Sequence, residues 1–238
     1  MNELLLTGAS SDLALEFLRT LPPGPRRVLA HYHRSPDRLL ALKAQRPELD
    51  IIPLRADLAS ADQVVALIAA ARKAGASPDG IVHFAAPKAR SLYFRQSAWE
   101  DFERELDVQL RSIVLILREF LPEMSKRGKG RVVFVLSSYT LEAPPQGMSP
   151  YVAAKHALLG LMKSLAVEYA RHGVTFNAVS PALMMTSFLE ELPPRMVELL
   201  GAEARLTPRD VAPVLRTLLS DESAAITGTN VPISPRKS

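Results

Sequence analysis

From residue 3 to residue 180 the chain alternates short, nearly unbroken apolar runs with stretches whose apolar residues recur every three or four positions, and few folds accommodate that rhythm. Glu3 to Thr7, Arg27 to His33, Ile51 to Leu58, Gly80 to Ala86, Arg131 to Ser138 and Val174 to Ser180 read as strands. Asp12 to Leu21, Asp37 to Ala44, Ala61 to Ala74, Trp99 to Lys126 and Pro150 to His172 read as helices between them. Strands apolar from end to end are buried on both faces, which predicts a parallel sheet covered by helices, a doubly wound α/β fold. With 238 residues and 47% hydrophobic content the chain can fill one such core, so residues 1–238 are expected to form a single domain. Prolines cluster in Leu21-Pro22-Pro23-Gly24-Pro25, in Ala143-Pro144-Pro145-Gln146-Gly147 and in Leu192-Pro193-Pro194, all between periodic segments, and read as loops. Past Pro181 the rhythm weakens, and the Met- and Leu-rich segment within 183–206, ahead of a helical pattern from Pro208 to Leu219, is a candidate substrate lid.

Composition narrows the chemistry by exclusion. The chain has no cysteine, which rules out disulfides and thiolate metal sites, and its five histidines are dispersed except for His31 and His33, so no metal site is expected. Met1 to Thr7 lacks the basic start and long apolar core of a signal peptide, and no apolar stretch is long enough to span a bilayer; a soluble cytoplasmic protein without membrane partners is the expectation. The net charge of +4 and pI near 9.5 come with acids interleaved among the bases, which reads as a solvated mixed surface. Scattered basic residues and 6% aromatics offer no stacking platform, so nucleic-acid binding is not expected.

The most specific chemistry lies in Ser149-Pro150-Tyr151-Val152-Ala153-Ala154-Lys155. A phenol and an ammonium four positions apart share one helix face, and a neighbouring ammonium is expected to lower the phenol's pKa and so make Tyr151 a proton donor at neutral pH. The hydroxyl of Ser138, at the end of the preceding strand, can hold a carbonyl oxygen beside that phenol.

At the other end, the first strand runs through Thr7-Gly8-Ala9-Ser10-Ser11-Asp12-Leu13-Ala14 directly into a helix, whose first amides can cradle a diphosphate. Only Gly8 and the small Ala14 meet the dinucleotide pattern. Asp12 stands where glycine is expected; it can enter the left-handed region or cap the helix, but it brings a carboxylate toward phosphate. The second strand ends in His31-Tyr32-His33-Arg34-Ser35 with no acid for a ribose 2′-hydroxyl, which favours NADP(H) over NAD(H); Arg34 can equally be a solvated residue after a strand. Asp57, before Leu58, can accept from an adenine amine or cap the next helix.

Together these residues resemble the short-chain dehydrogenase/reductase family, and in particular its 3-oxoacyl-(acyl carrier protein) reductases, from Leu4 to about Gly228. Tyr151 to Lys155 is similar to the family's Tyr-x-x-x-Lys, Ser138 lies thirteen positions before the tyrosine, Thr7-Gly8 opens the glycine motif, and Asp57-Leu58 resembles the adenine-contacting pair. Val82-His83-Phe84-Ala85-Ala86 takes the place of Asn-Asn-Ala-Gly, and Asn177 to Ala182 followed by Thr186 resembles the nicotinamide-contacting segment, with Pro181, Ala182, Met184 and Thr186 as its contacts. The resemblance implies a Rossmann-type fold and hydride transfer between a nicotinamide and a carbonyl or alcohol. In it Tyr151 is the acid, Lys155 tunes the acid and binds the nicotinamide ribose, Ser138 holds the carbonyl oxygen, and Gln109 stands at the proton-relay asparagine. It also implies a cofactor held by Gly8, Ser10, Ser11, Asp12, Leu13, His33, Arg34, Ser35, Asp57, Leu58, Ala85 and Ala86.

Three activities are compatible with this pattern. The first is NADPH-dependent reduction of a ketone, with a β-ketoacyl thioester as one substrate. The basic stretch Lys126 to Arg131 and Arg171 lie where such reductases dock an acyl carrier protein, though the same charges read equally as solvated helix ends. The second is a carbonyl, pteridine or sugar-type reductase, since Met184, Met185, Phe188 and Leu189 predict an apolar pocket without naming its ligand. The third, suggested by Asp12 and Gln109, is a nucleotide-binding or scaffolding subunit with little turnover. The two long helices, Trp99 to Lys126 and Pro150 to His172, are the expected seam of a homodimer or homotetramer; the loss of Asp-Gly-Gly after Ile226 to Ile233 leaves the choice between them open.

Overall fold

The structure is a computed structural model that describes residues 1–24, 26–192, 194, 195, 197 and 206–235. Seven parallel strands form one sheet in the order β3-β2-β1-β4-β5-β6-β7, with β1 Glu3–Thr7, β2 Arg26–Tyr32, β3 Leu49–Arg55, β4 Gly80–His83, β5 Gly130–Val135, β6 Val174–Pro181 and β7 Asn230–Ile233. Every residue of β4, β5 and β6 is buried, which is why these runs read as apolar without alternation. Alternation exists all the same, between two apolar layers instead of between core and water. Leu4 and Leu6 of β1, Val133 of β5 and Val179 of β6 point to one layer, and Leu5, Val132, Phe134, Phe176 and Ala178 to the other.

Helices α1 (Asp12–Arg19) and α2 (Asp37–Gln45) contribute their buried faces to the first layer, and α3 (Ala61–Lys73), α5 (Ser112–Arg127) and α6 (Ser149–Glu168) to the second. Helix α7 (Pro208–Leu219) packs with α1 through Val211, Leu215 and Leu218. Because β1 to β3 proceed outward in one direction and β4 to β7 in the other, the crossovers part at β1 and β4. A crevice opens there at the carboxyl ends of the strands.

Three local features differ from the sequence expectation. The long helix predicted over Trp99 to Lys126 is α4 (Trp99–Leu106) joined to α5 by a π turn over Asp107–Arg111, closed by the Ser112 amide on the Asp107 carbonyl. Such widened turns occur frequently at functional sites. Helix α6 ends at Glu168 and continues only as a 3₁₀ turn, Ala170–His172. The segment ending in Ile233, read without a strand, adds β7 beside β6; its partial burial, with no fully buried residue, is that of an edge, too weak a pattern for periodicity to reveal.

The β1–α1 turn fixes the crevice floor. Gly8 has φ of +65°, and a Cβ there would stand 3.0 Å from the Ala85 Cα and backbone nitrogen. Gly8→Ala is therefore expected to cost about 1–3 kcal/mol of stability, from the left-handed conformation and the displaced β4 loop together, read as a lowered melting temperature.

Candidate active site

The crevice is a cavity of about 330 Å³ that runs from the β1–α1 turn to α6. Gly8, Ser10, Ser11, Asp12 and Leu13 line one end, Ala85 and Ala86 the middle, and Tyr151, Lys155, Pro181, Ala182, Met184 and Thr186 the other. The sheet order therefore brings together residues as far apart in sequence as Gly8 and Leu192. His33, Arg34, Ser35, Asp57, Leu58, Gln109 and Ser138 are not in its wall. The first five sit at the ends of β2 and β3, where His33 Nε2 lies 3.8 Å from Asp57 Oδ2 and Asp57 Oδ1 also accepts from the Ala59 amide. Gln109 lies in the π turn, behind the cavity.

Histidines stiffen the end of the cavity at the β1–α1 turn. The Gly8 amide donates to His31 Nδ1 at 2.9 Å, and His31 Nε2 is 3.1 Å from the Ala56 carbonyl, which makes Nε2 the protonated nitrogen. Burial pushes His31 down to about 4, so it stays neutral and keeps its acceptor. Thr7 and His83, partners in the β1–β4 register, share a 2.7 Å hydrogen bond, and burial holds His83 near 3.

Asp12 neither caps α1 nor leaves the helical region. Ser11 is the cap, accepting from the Ala14 amide, and among the described residues none other than glycine has positive φ. The Asp12 carboxylate instead reaches outward: one oxygen accepts from Arg38 of α2, the other from the Ser187 amide at 2.7 Å. Burial alone would raise its pKa, but the Ser187 and Arg38 contacts outweigh burial and hold the group below the usual carboxylate range. Its charge is thus already compensated by Arg38 and the Ser187 amide. Arg38, which also donates to the Ser10 carbonyl, carried no sequence signal; only the pairing of β2 with β1 brings the start of α2 over this turn.

At the far end α6 supplies Tyr151 and Lys155 from one face, both buried, with Pro150 in its first turn where a missing amide hydrogen costs nothing. Lys155 Nζ donates to the Val135 carbonyl at 2.7 Å and lies 5.5 Å from the centre of the Tyr151 ring. The expectation that this ammonium lowers the phenol's pKa does not describe the cofactor-free protein. Burial dominates and pushes Tyr151 well above 10, while the Ser137 hydroxyl pulls it partway back. Lys155 is itself lowered to about 8 by burial, against the attraction of Glu105.

Ser137, not Ser138, stands in the cavity wall with Tyr151. At the end of β5, Val135, Leu136, Ser137 and Tyr139 line the cavity; Ser138 begins a 3₁₀ turn, its carbonyl accepting from the Leu141 and Glu142 amides.

The apolar wall above Tyr151 comes from Leu183, Phe188, Leu189 and Leu192 of the expected lid, with Met148 and Tyr139 opposite. The Phe188 ring lies 5.6 Å from that of Tyr151. Met184 also lines the cavity, whereas Met185 is 41% exposed and absent from the wall. The lid is tied to the loop after β4 by the Ala89 amide on the Phe188 carbonyl and by the ion pairs Lys88–Glu190 and Arg90–Glu191. Residues 193, 196 and 198–205 of the lid predicted over 183–206 lie outside the described residues.

The basic docking surface is smaller than the sequence suggests. Arg131 is buried against the Gly130, Gly173 and Ser220 carbonyls, Lys129 pairs with Asp221 at 2.8 Å, and Arg127 binds Ser77 and the Pro78 carbonyl. Lys126 and Arg171 remain exposed. Among the described residues no group of three His, Asp or Glu side chains is placed to hold a metal ion, and no helix is long and apolar enough to cross a membrane.

Known proteins resemble the chain over nearly its whole length. Residues 24–234 match the family model described as enoyl-(acyl carrier protein) reductase. The chain is 26% identical to D-beta-hydroxybutyrate dehydrogenase of Rhizobium meliloti, over 95% of each protein. It is also 26% identical to 3-oxoacyl-(acyl-carrier-protein) reductase FabG of Staphylococcus aureus, over 97% of this chain and 95% of that one. Among solved structures, levodione reductase superposes with a TM-score of 0.85 at 26% identity, covering 98% of this chain and 95% of that one.

Proposed function

The chain belongs to the short-chain dehydrogenase/reductase family, a family of nicotinamide-dependent oxidoreductases, and on that footing we propose that it reduces a ketone to a secondary alcohol with NADPH. The observation that carries the reading is the convergence of the Tyr151 phenol, the Ser137 hydroxyl and the Lys155 ammonium under an apolar wall, at the end of a cavity that begins on a phosphate-binding turn. A bound reduced nicotinamide supplies the hydride. Tyr151 gives its proton to the carbonyl oxygen, Ser137 steadies that oxygen as it gains charge, and Lys155, anchored on the Val135 carbonyl, holds the nicotinamide ribose.

The residues fit such a cofactor. Gly8 allows the close approach of β1 to the Ala85 backbone, and Ser10 to Leu13 offer the first turn of α1 to the diphosphate, with Arg38 offsetting the Asp12 charge. Ala85, Ala86, Pro181, Ala182, Met184 and Thr186 flank the nicotinamide; Asp57 and Leu58 face the adenine. The absence of an acid after β2 favours NADP(H), with His33, Arg34 and Ser35 receiving the 2′-phosphate and Arg38 beside them. Fluorescence titration with NADPH and NADH tests this: Arg34→Ala is expected to raise the Kd for NADPH about tenfold, the value of one lost charge-assisted hydrogen bond, and to leave NADH unchanged.

Among ketones, a β-ketoacyl thioester is the favoured substrate class, supported by the apolar wall of Phe188, Leu189 and Leu192 and by the likeness to FabG. Lys126 and Arg171 are the exposed cations left to meet an acyl carrier protein, and the exposed Val167 of α6 suits the seam of a homodimer or homotetramer in the cytoplasm. A panel of β-ketoacyl thioesters and free ketones, assayed by NADPH oxidation, decides the substrate class: equal rates on free ketones would favour a general carbonyl reductase. Tight nucleotide binding with no oxidation on any substrate would favour a nucleotide-binding or scaffolding subunit. Failure of both nucleotides to bind until Asp12 is replaced by glycine would trace that loss to the carboxylate.

A further inference from the structure

A buried acid that the catalytic scheme does not use sits behind Tyr151. Glu105 is only 7% exposed, on the last turn of α4, and its carboxylate accepts a hydrogen bond from Gln109 Nε2 within the π turn. Gln109 Oε1 is buried and finds no partner among the described residues. Glu105 and Tyr151 share the wall of a second, smaller cleft of about 20 Å³, room for about one water molecule, bounded by Pro150 and by Arg90, Asp101 and Arg104 toward its charged side. This cleft is separate from the crevice in which the cofactor and substrate are placed: among its lining residues only Tyr151 also lines the larger cavity.

Each reduction, its hydride supplied by a reduced nicotinamide, consumes one proton, taken from the Tyr151 hydroxyl, and leaves a phenolate that must regain a proton before the next turnover. We propose that Glu105 reprotonates Tyr151 through the small cleft that the two residues share, acting as a positioning and proton-relay residue. This rests on the ketone-reductase reading above. The Glu105 carboxylic acid passes its proton across one water to the phenolate oxygen and becomes a carboxylate. Solvent entering between Arg90, Asp101 and Arg104 returns the proton, so one solvent proton enters for each alcohol formed.

The groups facing Glu105 permit both of its forms. Burial raises it to about 7, against the downward pull of the Gln109 amide and of the charges on Lys155 of α6, Arg104 of α4 and Arg90 of the β4 loop. A carboxyl poised near neutrality can both give and recover a proton under working conditions. Gln109 links it to the fold: the amide fixes the carboxylate's orientation, which gives a physical role to a glutamine that sequence comparison reads as a departure.

The test is Glu105→Gln, which keeps shape and hydrogen bonding but has no proton to give, with Glu105→Asp as the conservative control. On rapid mixing with NADPH and a ketone, Glu105→Gln is expected to complete its first turnover at the wild-type rate, from a phenol already protonated. It should then cycle about tenfold or more slowly at pH 7, without the wild-type fall in steady-state rate between pH 6 and 8. Glu105→Asp should restore that fall at a shifted pH. In the cofactor-free protein, an infrared carboxylic-acid band that titrates near pH 7 should vanish in Glu105→Gln. Steady-state rates and a pH profile identical to wild type, or a first turnover slowed as much as the later ones, would overturn the relay alone. Absence of turnover in the wild type would overturn the reductase reading and the relay with it.

Discussion

Tyr151→Phe is expected to lower carbonyl-dependent NADPH oxidation by at least about 10³-fold at pH 7 while nucleotide affinity stays within about threefold. In the proposed scheme the Tyr151 phenol, beside Ser137 in the cavity wall, gives the proton to the carbonyl oxygen, and burial keeps it protonated. Its pKa lies above the ordinary value of a tyrosine in the cofactor-free protein, so the acid form is fully populated at neutral and mildly alkaline pH; loss of the hydroxyl, and not a change in its ionisation, is what the substitution measures. The ring remains to pack against Phe188, and nothing in the Lys155 to Val135 contact depends on the hydroxyl, so folding should be preserved. Parallel melting curves and fluorescence titrations check this. A residual rate within tenfold of wild type would remove Tyr151 from the acid's role and with it the reductase reading.

How far the sequence carries depends on the range of the interaction. The strand and helix order was legible because burial on both faces leaves unbroken apolar runs such as Val132 to Leu136, and a doubly wound sheet is the arrangement that buries them. Tyr151 and Lys155 were legible as a pair because i and i+4 on a helix is a local relation. Asp12 was legible as an anomaly, but its resolution was not: Arg38 and Ser187 reach it across 26 and 175 residues, and neither has a motif of its own. Glu105 was passed over for a related reason. On an amphipathic helix that also carries Glu100, Asp101 and Glu103 it looks like one more solvated acid, and only the docking of α4 on α6 buries it. The direction of the Tyr151 pKa shift failed because sequence shows the ammonium and hides the desolvation, which is the larger effect.

The second large effect separates two adjacent serines. Ser137→Ala is expected to lower kcat/KM by about 10²–10³-fold, the loss of roughly 3–4 kcal/mol of stabilisation where charge develops on the carbonyl oxygen, with KM changing far less than kcat. Ser138→Ala should leave both constants within about twofold. The asymmetry follows from how β5 ends. Val135 contributes its carbonyl to Lys155 and lines the cavity, and Ser137, also in the wall, meets the Tyr151 hydroxyl. Ser138, outside the cavity wall, starts the 3₁₀ turn, and the two hydrogen bonds it accepts there are to its backbone carbonyl, which alanine retains. The proposed scheme gives its hydroxyl no part in the reaction. The reverse result, with Ser138→Ala inactive and Ser137→Ala near wild type, would mean that this turn rearranges when substrate enters, so that spacing from the tyrosine decides which hydroxyl reaches the oxygen.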